Sequence, residues 1–361
     1  MQVTENVSQS PAVSGRAPVP DFVSTLSAQA FNRRQALLYG SSLALGSSLS
    51  GRAAACTAAS ALPATPYTTP APAADQPSSS QQFDLVDEKG HKRRIFVASP
   101  SHAAPADGYP VLYTLDGNAL FGLFTALALL QAARPDAGPA PAPAIVGIGY
   151  PIDAAYDQPA RERDYTFSQT KDGVLHADGA DRFLDFVQGI LQPQLAQHLP
   201  LNPQRQALFG HSYGGLLVLY ALFTRPGMFH YYTAASPSIW RSAGAIWPCA
   251  ENFANQPFAA AMQAPYLLLT AGSLEENTPQ RSLQRQRRQQ QRRMVTQVQK
   301  LANQLQHHPA VHSRFVLLHD EDHGGTAIRS AYLALHDMMD INNMAAGTNT
   351  DVPMHTKAAQ A

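Results

Sequence analysis

A chain of 361 residues that is 45% hydrophobic has enough apolar material for a large buried core. Its 26 Lys and Arg are matched by 26 Asp and Glu, so overall charge gives no reason to expect nucleic acid or an acidic surface as the main partner. Two cysteines, Cys56 and Cys249, make neither a zinc site nor a disulfide framework.

In chain order, the first distinctive stretch is FNRRQALLYGSSLALGSSLSGRAAAC, where Arg33 and Arg34 precede a modest apolar run from Ala36 to Leu49 and then small residues. That order predicts an export signal over residues 1–55, and the paired arginines predict the twin-arginine type. The run is interrupted by Gly and Ser and is too short for a stable membrane helix. Cleavage after Ala53-Ala54-Ala55 puts Cys56 first, where a lipid anchor could be attached, although Ala53 stands where a lipoprotein signal usually has Leu. A periplasmic location is the expectation. Residues 56–82 are mostly Ala, Pro, Ser and Thr and read as a flexible linker. Residues 343–361 read as a disordered tail, which leaves one catalytic domain over 83–342.

Within that domain, short apolar runs predict strands at RRIFVA (93–98), VLYTL (111–115), AIVGIG (144–149), RQALFG (205–210), YYTAAS (231–236), YLLLTAG (266–272) and RFVLLHD (314–320). Helical segments are expected between and after them, at 119–132, 179–199, 214–223, 281–306 and 326–339. Most of the runs are continuous rather than alternating, as in strands covered on both faces. The alternation of strands and helices predicts an α/β fold with a mostly parallel central sheet and helices on both faces. Ligands in such sheets sit at the carboxyl ends of the strands.

The stretch FGHSYGG meets that rule, because Ser212 follows a strand and opens a helix. A serine between Gly210 and Gly214 in this context matches a nucleophile elbow, whose strained turn leaves no room for flanking side chains. A helix-start corner with Ser212 as a plain N-cap is the blander account. A serine hydroxyl needs a base and a group to orient that base. The chain order Ser, acid, His selects His323, in the loop DEDHGG after the last strand. His319 is expected inside that strand, and His307, His308, His312 and His336 on helix surfaces or a connection. Glu275, in TAGSLEE after the preceding strand, is the chosen acid, with Glu276, Asp320 or Asp322 as alternatives and a Ser-His pair without an acid also open. The developing oxyanion needs two amide donors. Tyr213 follows the nucleophile, and Asn118, in VLYTLDGNALF, opens a helix after an earlier strand.

With LYTLDGNALF, IVGIGYPIDAAYDQPARERDYTF, ASPSIW, AGSLEE and DEDHGG in order around the elbow, the chain resembles the esterase branch of the α/β-hydrolases. Within that branch it is most similar to periplasmic siderophore esterases of the IroE type, which open catecholate trilactones such as enterobactin and salmochelin. The resemblance covers about 83–340. It implies an α/β-hydrolase fold, Ser212 as nucleophile, His323 as general base and acid, Tyr213 and Asn118 as oxyanion donors, and no cofactor or metal. Esterases of this kind are described as leaning on a Ser-His dyad, which leaves Glu275 open. The resemblance also singles out ARERDYTF, where either Arg161 and Arg163 meet an anionic acyl group or iron-catecholate, or Arg163 and Asp164 pin the loop by charged hydrogen bonds. Trp240, in SPSIWR, either stacks on a catechol ring or packs. The segment from 281 to 306 carries seven basic residues and an apolar stripe of Met294, Val298, Leu301 and Leu305. Its arginine-rich half is either a solvated face or a basic rim for an anionic substrate or phospholipid headgroups. The expectation is an exported serine carboxylic-ester hydrolase of a small-molecule ester, against a general short-acyl esterase or acyltransferase and a non-catalytic siderophore-binding protein.

Overall fold

The structure, a computed structural model, describes residues 79–134, 141–256, 263–276 and 282–345, all within one compact unit. The expected export signal, Cys56 and most of the expected linker and tail lie outside these residues. The first strand, β1 (Ser79–Val86), starts four residues inside the expected linker and pairs antiparallel with β2 (Lys92–Ser99). It was hidden by its polar start, SSQQ, and by having one sheet neighbour, so that it carries few apolar residues.

The chain continues through β3 (Tyr109–Leu115), α1 (Gly117–Ala132), β4 (Ala144–Gly149) and α2 (Gln158–Tyr165). A small hairpin, β5 (Ser168–Gln169) and β6 (Leu175–His176), leads to α3 (Asp178–Phe186) and α4 (Gln192–His198). Then come β7 (Leu201–His211), α5 (Tyr213–Thr224), β8 (Tyr231–Ala235), α6 (Ile246–Asn255) and β9 (Tyr266–Gly272). The order ends with α7 (Leu283–Arg292), α8 (Met294–Leu305), β10 (His312–Leu318) and α9 (Gly325–Ala345), which runs past the expected boundary at 342. Eight strands form one sheet in the order β1-β2-β4-β3-β7-β8-β9-β10. The pairs β1–β2 and β2–β4 are antiparallel and all others in this sheet are parallel.

Alternate residues of the central strands feed two cores. Leu112, Ile145 and Phe209 pack with Leu120 and Phe124 of α1 and Leu335 and Met338 of α9 on one face. Tyr113, Val146 and Leu208 pack with α3, α5, α6 and α8 on the other. This is the two-sided α/β arrangement expected from the continuous apolar runs. Helix α5 is buried from Gly214 to Phe223, which fits a segment apolar on every side.

Two expected helices are interrupted. Between α3 and α4 the chain makes a π turn (Val187–Leu191) just before Pro193, which has no N–H for a helical bond. The single helix expected over 281–306 is split at Arg293, in the left-handed region at φ 47°. The bend separates α7, which buries no residue, from α8, whose stripe of Met294, Val298, Leu301 and Leu305 is turned into the core. His319, expected within the last strand, lies one residue past β10 and is exposed.

Candidate active site

Ser212 joins the carboxyl end of β7 to α5 with φ 60° and ψ −113°, a conformation that is costly for any residue with a side chain. Three backbone bonds hold it. Its N–H donates to the Ala235 carbonyl at 2.9 Å, and its own carbonyl accepts from Leu216 at 3.0 Å and Ser238 at 3.1 Å. A Cβ at Gly210 would lie 2.3 Å from the Gly214 carbonyl oxygen. At Gly215 it would lie 2.9 Å from the Ala235 oxygen and 3.1 Å from the Pro237 Cα. At Gly214 the nearest atom is 3.4 Å away, on the Leu115 side chain. The crowding expected on both sides of the serine is therefore real, but its second glycine is Gly215 and not Gly214. Gly215→Ala is expected to lose about 1–3 kcal/mol in chemical denaturation, because backbone must move to admit the methyl group. Gly214→Ala should stay within about 1 kcal/mol of wild type, and equal losses in the two variants would contradict this packing.

His323, in the loop between β10 and α9, sets Nε2 3.0 Å from the Ser212 hydroxyl and Nδ1 2.9 Å from Oε2 of Glu275. A carboxylate can only accept, so the ring proton sits on Nδ1 and the Nε2 lone pair faces the serine. Glu275 is 3% exposed and ends a short 3-10 turn after β9. Its other oxygen, Oε1, accepts from the Ser236 hydroxyl at 2.5 Å and from the Gly272 N–H at 2.7 Å. Two of the alternative carboxylates have partners of their own. Glu276 accepts from the N–H and hydroxyl of Thr296 in α8, at 2.8 and 2.6 Å. Asp322 accepts from the amides of Gly324 and Gly325, and Asp320 is exposed with φ 61°.

A second layer was not read from the sequence. His211, Ser236 and Thr326 are buried behind the relay. Thr326 donates to the His323 carbonyl at 2.9 Å and lies 3.3 Å from His211 Nε2 and 3.0 Å from the Ser236 hydroxyl. The His211 ring centroid is 4.6 Å from that of His323. Ser238 places its hydroxyl 3.3 Å from that of Ser212. Polar residues inside FGHSYGG and ASPSIW were the available signal for three of these; Thr326 had none.

Burial, reinforced by the neighbouring His323, pushes His211 down from 6.5 to about 3. Folded protein keeps it neutral, whereas the unfolded chain takes up this proton below about 6.5. The unfolded state then binds more protons, so the stability contributed by His211 is complete above that pH and is lost as pH falls toward 3. Each unit within that window is worth at most about 1.4 kcal/mol. His211→Asn should flatten the decline in denaturation stability between pH 7 and pH 5, and an unchanged slope would refute it.

Tyr213 is the first residue of α5, and Asn118 the second of α1. Both amides belong to helix first turns, which have no helical carbonyl to bond. The Asn118 side chain is occupied by the loop after β4. Its Nδ2 donates to the carbonyls of Tyr150 and Ile152, each at 3.0 Å, and its Oδ1 accepts from the Tyr150 N–H at 2.8 Å.

The two arginines expected at a substrate are held by other partners. Arg161 is 5% exposed and forms a two-point ion pair with Asp116, at 2.7 and 3.1 Å. Arg163 is paired in the same way with buried Asp164, at 2.8 and 3.1 Å, and Asp164 also meets Arg93 at 3.0 Å and the Tyr150 hydroxyl at 3.0 Å. Buried charge needs a counter-charge, so both cations of ARERDYTF are engaged by carboxylates, and Arg163 keeps 35% of its side chain exposed. Trp240 is half-buried two residues beyond Ser238, with the guanidinium of Arg292 over its ring at 4.4 Å. Arg241 pairs with Glu162 and lies over the Tyr213 ring at 5.6 Å.

Residues 87–316 match the model of the family described as "Putative esterase". The chain belongs to this esterase family. The esterase is a serine carboxylic-ester hydrolase of α/β-hydrolase fold, with Ser212, Glu275 and His323 following the carboxyl ends of β7, β9 and β10. It is 38% identical over 207 residues to the siderophore triacetylfusarinine C esterase of Aspergillus fumigatus, covering 56% of this chain and 70% of that protein. The siderophore enterobactin esterase of Emericella nidulans is 33% identical over 288 residues, with 71% and 93% covered. Among solved structures, the siderophore hydrolase EstB from Aspergillus nidulans superposes with a TM-score of 0.65 at 30% identity, over 73% of this chain and 96% of that one. Among the described residues, no three His, Cys, Asp or Glu side chains gather as a metal site.

Proposed function

We propose that this esterase opens the ester bonds of a catecholate siderophore trilactone by two-step acyl transfer through Ser212. The reading is supported above all by the continuous chain Ser212–His323–Glu275, with contacts of 3.0 and 2.9 Å. His323 Nε2 takes the hydroxyl proton as Ser212 Oγ attacks the ester carbonyl, and Glu275 stabilises the resulting imidazolium. The amides of Tyr213 and Asn118 receive the developing oxyanion, each at the positive end of its helix. His323 then gives its proton to the departing alkoxide. A water molecule, deprotonated by the same nitrogen, releases the acyl group.

The siderophore part of the reading rests on relatives whose names include triacetylfusarinine C, ferri-bacillibactin, apo-salmochelin and enterobactin as substrates. Trp240 with Arg292 over its ring supports the reading as an aromatic and cationic pair of the kind that a catecholate would meet. The order of Arg33-Arg34, apolar run and Ala53-Ala54-Ala55 supports export to the periplasm, with Cys56 as a lipid-anchor position. Intact mass of the mature protein tests this, and retention of residues 1–55 would refute it.

The deciding assay compares an enterobactin-like trilactone, apo and iron-loaded, with p-nitrophenyl butyrate. Trilactone opening at the higher kcat/KM is expected. Turnover confined to the aryl ester would sink the siderophore reading, transfer to an added alcohol in preference to water would favour an acyltransferase, and binding of the trilactone without cleavage would favour a carrier.

A further inference from the structure

We propose that Arg161 is a positioning residue of the oxyanion site, setting the distance between its two amide donors. The inference rests on the assignment of Tyr213 and Asn118 as those donors. Arg161 reaches both helix starts at once. Through Nε and Nη2 it grips the Asp116 carboxylate at 2.7 and 3.1 Å, and Nη1 is held by Gln158 at 3.1 Å. Asp116 directly precedes α1. Its carbonyl accepts the first-turn amides of Ala119 and Leu120, at 2.9 and 3.1 Å, and its own N–H faces the Tyr165 hydroxyl at 3.4 Å. The same guanidinium lies 5.6 Å from the ring centroid of Tyr213, the first residue of α5. The Asp116 carboxylate in turn abuts the start of α5, 3.6 Å from where a Cβ on Gly214 would lie.

Asp116 has φ 55° and ψ 45°, a left-handed conformation that a residue with a side chain adopts only when its surroundings impose it. Those two dihedrals set the direction of the peptide groups that follow, including the Asn118 amide. The ion pair is the strongest restraint on them. Buried and two-pointed, it allows the carboxylate one orientation, and the same guanidinium lies against the Tyr213 ring, 5.6 Å from its centroid. Without Arg161 an unpaired carboxylate would be left inside the protein, and it would turn toward water or take up a proton. Either change rotates Asp116 and moves the Asn118 amide off the oxyanion, where misplacement of one donor lowers turnover about 10²-fold or more.

The test is Arg161→Gln, assayed on an ester that the wild type hydrolyses and against a trifluoromethyl ketone that forms the tetrahedral adduct with serine. We expect kcat to fall about 10²-fold with KM within about threefold of wild type, and ketone affinity to fall in step with kcat/KM. Asp116→Asn should fall equally, and the double variant no further, because the two residues act as one unit. Arg161→Lys, which keeps the charge and loses the two-point grip, should recover part of the rate. A variant merely weakened in its fold would lose thermal stability while the folded fraction kept its kcat, and that result would overturn the proposal. So would a rise confined to KM, which would place Arg161 on the substrate. Should the single variants not fold, the double variant, with both charges removed, decides by the same criteria. An active Ser212→Ala would sink the underlying catalytic reading, whereas normal kcat in Arg161→Gln beside an inert Ser212→Ala sinks this proposal alone.

Discussion

Ser212→Ala protein is expected to turn over esters about 10⁶-fold more slowly than wild type while folding normally. That factor corresponds to about 8 kcal/mol of activation free energy, which the nucleophile and its base supply as a unit. The backbone at φ 60° is held by the amides of Leu216 and Ser238 and by the carbonyl of Ala235, none of which uses the side chain. Alanine meets the same backbone cost as serine, so the fold should tolerate the change. Ser238 is the neighbouring hydroxyl, 3.3 Å from that of Ser212, but it is only 2% exposed. It should not take over as nucleophile. Single-turnover kinetics with a chromogenic ester, together with a thermal melt, measure both parts. Retention of more than about 1% of wild-type kcat in a folded Ser212→Ala protein would remove Ser212 from the reaction.

Glu275→Gln is expected to lower kcat by about 10⁴-fold, although it changes one atom. The argument follows from what surrounds Oε1. The Ser236 hydroxyl and the Gly272 N–H both donate to it, at 2.5 and 2.7 Å, so a glutamine must place its carbonyl oxygen there. Its amide nitrogen then faces Nδ1 of His323 and donates to it. The ring proton is driven to Nε2, and the lone pair that should take the serine proton is lost. The resemblance to Ser-His dyad esterases makes the opposite prediction, a loss of less than about tenfold. Rate against pH for the two proteins, with a melt to show that both are folded, distinguishes the two accounts.

The parts of the site legible in the sequence are those fixed by local geometry. Ser212 could be read because glycine, strand and helix follow one another within a few residues, and His323 because it stands after the last strand in a loop. The choice between Glu275 and Glu276 depended on a three-residue turn, which sends one side chain inward and the other to Thr296. No pattern of residue types encodes that difference. The substrate role weighed for Arg161 could not be set aside from the sequence, because its partner, Asp116, is 45 positions away and belongs to a motif that looked complete as a turn. The break at Arg293 was equally hidden, since arginine is a good helix former and the bend comes from where α8 must put its stripe. The sheet was readable throughout its central strands, where both faces are covered, and least readable at β1, where polar residues fill the edge.

The burial of Glu275 has a consequence for how charge moves during the proposed reaction. In the proposed resting state one negative charge sits on this carboxylate, which accepts from the Ser236 hydroxyl, the Gly272 N–H and the His323 ring N–H. When Ser212 attacks, its proton passes to His323, and the imidazolium and carboxylate become an internally neutral couple. The negative charge is then found on the substrate oxygen, between the first turns of α1 and α5. The site therefore holds the same total charge before and during the attack: the serine proton moves inward to His323 while the carbonyl π pair moves onto the substrate oxygen, so one positive and one negative charge appear together. Salt should change how an anionic ester arrives far more than how fast it reacts once bound.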